Sequence, residues 1–147
     1  MNTRRNSLDG SINALWKTDI VNTSVHYYHD LGKASKGDSA TLKFSHAFVL
    51  NPRLRLTPFV GAEWISAAVV DYYYGVTASE ATPSRPAYTG ESSISYSAGL
   101  NTTYLLNRSW LLIGGVHYST LGSSIVESPL VTNSKSVVVY LGATWLF

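Results

Sequence analysis

At 147 residues the chain is one domain's worth of protein, 45% hydrophobic with a mean hydropathy near zero (+0.03), and only 14% of it is charged. Ordinary soluble domains are about 25% charged, so polar strand faces filled with Ser, Thr, Asn and Gly count against a polar side that meets bulk water. A net charge of +2 on scattered basic residues leaves no footprint for nucleic acid, and the lack of cysteine excludes a disulfide framework and a thiolate metal site.

The first predicted strand runs from about Leu8 to Lys17, with Ile12, Ala14 and Trp16 on one face, Ser11, Asn13 and Lys17 on the other, and Leu15 against the pattern. A short connection at Thr18 and Asp19 leads to a second strand, Ile20 to Asp30, which sets Val21, Val25 and Tyr27 against Asn22, Ser24 and His26. The polar run LGKASKGD follows and reads as a loop by its glycines. The third strand, about Ser39 to Leu50, opposes Leu42, Phe44, Phe48 and Leu50 to Thr41, Lys43 and Ser45, with His46 on the apolar side.

Asn51-Pro52 is a tight turn, because proline fixes φ and cannot continue a ladder. The fourth strand, Arg53 to about Ser66, sets Leu54, Leu56, Val60, Ala62 and Trp64 against Arg53, Arg55, Thr57, Gly61 and Glu63, at the cost of Pro58 in its middle. From about Ala67 to Ser92 the alternation fails in a long excursion, whose first part, AVVDYYYGV, is expected to extend the hairpin beyond the membrane. The fifth strand, Ser93 to Leu106, alternates most cleanly, with Ile94, Tyr96, Ala98, Leu100, Tyr104 and Leu106 opposite Ser93, Ser95, Ser97, Gly99, Asn101 and Thr103. Asn107-Arg108 turns into the sixth strand, Ser109 to Thr120, and a loop of about fifteen residues precedes the seventh, Ser136 to Phe147.

That closing strand, SVVVYLGATWLF, carries Val137, Val139, Leu141, Ala143, Trp145 and Phe147 on one face. Its polar residue, glycine and two aromatics at alternate positions, Tyr140, Gly142, Trp145 and Phe147, resemble the signal read by the barrel-assembly machinery of bacterial outer membranes.

Connections alternate between tight (near residues 18, 51 and 107) and extended (near 34, 80 and 128), as in outer-membrane barrels with short periplasmic turns and long extracellular loops. On the apolar face Trp16, Phe48, Tyr104, Trp110, Trp145 and Phe147 lie toward the short turns, and Tyr27, Trp64, Tyr96 and Tyr118 toward the long loops. Two aromatic girdles at separate heights are what the two interfaces of a bilayer select. No segment approaches the eighteen or so consecutive apolar residues of a helical span. The expectation is therefore all-β: an antiparallel up-and-down transmembrane β-barrel forming a single domain over residues 1–147.

Seven strands is an odd count, whereas bacterial single-chain barrels are even-stranded. Either an odd number of strands lies upstream and the chain is a fragment of a larger barrel, or residues 67 to 92 hide a hairpin. The start MNTRRNSLDG lacks the apolar run of a signal peptide. An outer-membrane protein needs one, so the chain is expected to be a C-terminal portion, a truncated product or a start placed too late, with Met1 to Ser7 left from an outer loop.

Three phrases carry a family resemblance: YYYGVTASEATPSRPAY at Tyr72 to Tyr88, the Tyr104-Leu105-Leu106-Asn107-Arg108-Ser109-Trp110 turn, and Glu127-Ser128-Pro129-Leu130-Val131 before the aromatic end. In this order and spacing they resemble the MipA/OmpV family, the MltA-interacting proteins, over about Tyr72 to Phe147; the first seventy residues match in strand pattern alone. The resemblance implies an outer-membrane β-barrel of the Gram-negative cell envelope. Its lipid is that of the outer membrane, and its partners are a murein transglycosylase and a murein synthase, between which founding members are scaffolds. Others are described as adhesins or permeability proteins. No catalytic residue and no cofactor come with it, and members carry a signal peptide and further residues upstream that this chain lacks.

Against this reading stand sharper chemical ones. His117 and Ser119 share a strand face, and a histidine base beside a serine nucleophile is the device of lipid-modifying outer-membrane hydrolases. Here that face is the small-polar one, which points both side chains into the lumen, where hydrogen bonding is the expected role. His26, His29, His46 and His117 have no ligand spacing with a supporting carboxylate, so no metal is expected. Arg53, Arg55 and Glu63 would line a passive pore or form a luminal salt-bridge network. Tyr72 to Tyr74 serve equally as an adhesive surface or an interfacial anchor.

Overall fold

The period-two segments pair with their sequence neighbours and nothing else. A computed structural model describes residues 7–147 and places β1 (Asp9–Lys17), β2 (Asn22–Asp30), β3 (Asp38–Ser45), β4 (Phe48–Asn51), β5 (Leu54–Ile65), β6 (Ser93–Leu105), β7 (Trp110–Thr120) and β8 (Lys135–Trp145) in one antiparallel sheet. The order is β1-β2-β3-β5-β6-β7-β8, with β4 also on β5. This is the up-and-down all-β architecture expected, with β1 and β8 at open edges rather than closed on each other. Of Met1 to Ser7, read as an outer-loop remnant, residues 1–6 lie outside the described residues.

The third predicted strand is split by its neighbour. Ser45 pairs with Phe59 and Phe48 with Leu56, so the register is unchanged across the gap, and the residue opposite His46 is Pro58. His46 N–H donates to the Pro58 carbonyl at 3.3 Å, but proline has no N–H to return. The mid-strand proline thus interrupts the ladder for two residues without bending the register; the bulge lies later, between Val49 and Asn51.

Each short turn is closed by a side-chain oxygen that accepts from the amides two and three residues on. Asn51 Oδ1 takes Arg53 N–H at 2.9 Å and Leu54 N–H at 3.0 Å. Asn107 Oδ1 takes Ser109 and Trp110 N–H at the same two distances, and Thr18 Oγ1 takes Ile20 and Val21 at 3.3 and 3.0 Å. These Asx-type closures satisfy amides that leave the ladder, so the turns are rigid.

Register assigns every residue to a face. Ile12, Trp16, Tyr27, Leu42, Phe44, Phe48, Trp64, Tyr96, Trp110, Val139, Leu141 and Trp145 share the outer face and are exposed, Leu141 at 84%. Large exposed apolar side chains at that density need a nonaqueous solvent. The short-turn girdle is closed by Trp110 against Trp145, edge to face with centroids 5.0 Å apart.

The excursion between β5 and β6 differs from expectation. AAVVDYYY does not extend a hairpin; it forms α1 (Ala67–Tyr74), and the rest of the excursion holds only the isolated bridges Val76 to Tyr88 and Thr82 to Arg85. Tyr72 and Tyr73 meet edge to face on this helix, centroids 5.0 Å apart. The β7–β8 loop forms a single turn, α2 (Ser123–Val126), in contact with α1. Among the described residues no helix is long and apolar enough to cross a membrane.

Candidate functional sites on the inner face and in the loops

Among the described residues the sheet contributes one buried apolar side chain, Phe59 on β5 at 7% exposed; the others, Val70 and Ile125 at 0% and Val76 at 4%, belong to the long loops. Around them polar groups tie the two loops together. Tyr88 Oη donates to the Ser124 carbonyl, Glu91 N–H to Ser124 Oγ at 2.8 Å, and Ser128 Oγ to the Tyr74 carbonyl at 2.6 Å. Gly90 N–H reaches Asp71 Oδ1 at 3.0 Å, and a Cβ at Gly90 would meet the Asp71 nitrogen at 2.7 Å, so only glycine fits this approach. Two phrases that carry the family resemblance, Tyr72 to Tyr88 and Glu127 to Val131, therefore meet in one cap over the long-loop end.

A third loop is fixed to the same rim. Asp30 is 5% exposed, and its Oδ2 accepts from Ser35 N–H at 2.6 Å, Ser35 Oγ at 3.1 Å and Lys36 N–H at 3.0 Å. Burial pushes its carboxyl up; the Lys36 and Ser35 donors outweigh this and hold it below the usual carboxylate range. Lys33 and Lys36 take left-handed backbone (φ 57° and 55°), which the loop's tight path requires.

On the inner face one cluster crosses from β3 to β8. Asn101 Oδ1 accepts from Tyr140 Oη at 2.6 Å and lies 2.8 Å from His117 Nε2. The imidazole packs edge-on to Phe59 (4.8 Å) and Tyr140 (5.5 Å), and Lys43 Nζ caps the Phe59 ring at 3.9 Å. Small residues make the room: a Cβ at Gly99 would meet Phe59 Cε1 at 2.6 Å, and one at Gly115 would meet Tyr140 at 2.8 Å.

His117 and Ser119 do share the inner face, but Nε2 is held by Asn101. His117 is thus a luminal hydrogen-bonding residue. His26 and His29 fall on opposite faces, and His29 Nδ1 meets Asp38 Oδ1 at 2.7 Å on the outer rim. Arg53 and Arg55 do not pair with Glu63: eight residues of strand separate Arg55 from Glu63, about 26 Å. Arg53, Arg55 and Glu63 therefore do not form the expected salt-bridge network. Of the closing-strand residues, Tyr140 and Gly142 point inward, Trp145 outward, and Phe147 is fully exposed. Neither Asn101 nor Tyr140 stands out in the sequence as a partner of His117; the signal is their common face on three adjacent strands.

The family described as MltA-interacting protein MipA matches across residues 1–147. The chain is similar to outer membrane protein Omp26La of Vibrio anguillarum, 31% identical over 144 residues, which is 98% of this chain and 55% of that protein. Outer membrane protein OmpV of Vibrio cholerae gives the same identity and coverage. The MltA-interacting protein of Escherichia coli is 31% identical over 98 residues, 66% of this chain and 40% of its own length. The chain spans about half the length of the curated relatives it matches. No solved structure matches it.

Proposed function

The chain belongs to the MltA-interacting protein MipA family of Gram-negative outer-membrane proteins, and on that footing we propose that it is a non-enzymatic envelope scaffold. It recognises a murein transglycosylase of the MltA type and a murein synthase through its periplasmic end, with the barrel as anchor in outer-membrane lipid. One observation carries this reading: the family match runs over the whole chain, and a relative of the same family bears the name MltA-interacting protein. The commitment of His117 Nε2 to Asn101 supports recognition over hydrolysis. Tyr140, Gly142, Trp145 and Phe147 serve as the signal for the barrel-assembly machinery, which reads the exposed edge of β8.

The test is retention of purified MltA from the same bacterium by the immobilised full-length protein in detergent. Retention at physiological salt is the expected result. Free passage of MltA, together with measurable single-channel conductance of the barrel in a planar bilayer, would replace the scaffold with a pore.

A further inference from the structure

Charge is sorted between the two ends of the sheet. At the short-turn end lie Lys17, Arg53, Arg55 and Arg108 with Asp19 as the one acidic side chain. The long-loop end carries Asp9, Asp30, Asp38, Asp71, Glu80, Glu91 and Glu127 against Lys33, Lys36, Arg85 and Lys135 among the described residues. Short turns face the periplasm, so the periplasmic mouth is the basic end. None of its four cations has a carboxylate partner among the described residues.

Position separates this mouth from lipid. Arg55 pairs with Thr103, and the Arg53 carbonyl accepts from Leu105 N–H at 2.7 Å, so both arginines share the inner face and turn away from headgroups outside the wall. They flank a cleft of about 240 Å³ walled by Val49, Leu105 and Leu111. Arginine is among the residues enriched at interface hot spots, and a guanidinium takes a carboxylate through two parallel bonds. The frame is rigid, because Asn51 and Asn107 close the turns on either side, and a preformed surface loses little freedom on binding. Arg53, the last residue of the turn, continues the inner-face alternation of Arg55 on β5, two residues and about 6.6 Å along the chain.

We infer that this mouth is a docking site for an extended acidic segment of a periplasmic protein, with carboxylates at alternate positions on Arg53 and Arg55, and Arg108 and Lys17 adding long-range attraction. As the contact for a murein enzyme it rests on the scaffold reading; as a site for an acidic segment it does not.

The experiment uses the full-length barrel in zwitterionic detergent, with heat-modifiable gel mobility as the check of folding. Two probes are titrated: purified MltA, and a fluorescent hexapeptide of alternating glutamate and valine, with its lysine counterpart as control. Arg53→Glu with Arg55→Glu is expected to weaken both about tenfold or more, and raising salt from about 0.05 M to about 0.5 M to weaken the wild type in parallel. Arg53→Lys with Arg55→Lys keeps the charge but not the fork, and is expected to retain part of the affinity. Lys33→Glu with Lys36→Glu, at the opposite end, is expected to leave both probes within about twofold. Undiminished binding of both probes by the folded Arg53→Glu, Arg55→Glu protein overturns the site, as does equal binding of the lysine peptide. If the wild type takes the peptide and not MltA, the scaffold reading falls and the site stands; if it takes MltA regardless of the reversal, the site falls and the scaffold stands.

Discussion

Replacing Ile125 by alanine should open the long-loop cap while sparing the barrel. Ile125 is 0% exposed, one of the two largest fully buried side chains, and it sits on α2 where the two long loops are tied. The substitution removes three buried carbons, worth about 0.8 kcal/mol each in transfer, about 2.4 kcal/mol together. The cavity left where neighbours cannot collapse brings the total into the range of about 2–5 kcal/mol. About 2.8 kcal/mol raises the open population of the cap about a hundredfold, because the cap opens as a local unit. Proteinase K added to intact cells reads that population when opening is fast relative to cleavage. The expected result is cleavage within residues 67–92 about a hundredfold faster, with Ile125→Val only about twofold to tenfold faster. Equal cleavage of the alanine variant and the wild type, both with a heat-modifiable barrel, would refute a cap held by its own small core.

Three further outcomes follow from the same geometry. Asn107→Ala leaves the Ser109 and Trp110 amides without their acceptor and should cost about 1 kcal/mol, read as a lowered urea midpoint for refolding in detergent; Asn51→Ala should match it, and an unchanged midpoint in both would deny the turns their role. Gly115→Val places carbon within 2.8 Å of Tyr140 and should break its bond to Asn101, lowering the yield of folded barrel, whereas Gly114→Val on the outer face should be tolerated. Asp30 has a folded pKa below its unfolded value of about 3.9, so its stabilisation of the 31–37 loop is complete above that pH and is lost as pH falls through the folded value. The Ser35 amide resonance should accordingly titrate with a midpoint below about 3.9, and a midpoint above it would contradict the donor arrangement.

Much of this was legible in the residues because a membrane strand must alternate along its whole length. Ser93 to Leu106 shows which face meets lipid without any partner, and Pro58 announces an interrupted ladder. What proline cannot announce is where the neighbour yields; that depends on the register that sets His46 against it. The helix at Ala67 to Tyr74 was not legible, since paired valines and three tyrosines favour extended chain locally. It forms because Val70 finds burial in a core drawn partly from a loop more than fifty residues away. His117 was recognisable as an inward-facing residue, but its partners Asn101 and Tyr140 become visible only when β6, β7 and β8 are laid side by side. The basic mouth was hidden for a similar reason. Lys17, Arg53, Arg55 and Arg108 look scattered along the chain and gather only once every second connection is folded to the same side.

The central claim is that the long-loop cap faces the outside of the cell and the basic turns face the periplasm. These 147 residues have no cysteine, so once any cysteine in the rest of the full-length protein is replaced by serine, single cysteines report position without background. In the full-length protein, Ser79→Cys in the cap and Asp19→Cys in the first short turn are both exposed sites. A membrane-impermeant maleimide applied to intact cells should label Ser79→Cys, and should label Asp19→Cys only after the outer membrane is permeabilised. Labelling of Asp19→Cys in intact cells with Ser79→Cys protected, or no difference between the two, would contradict the account.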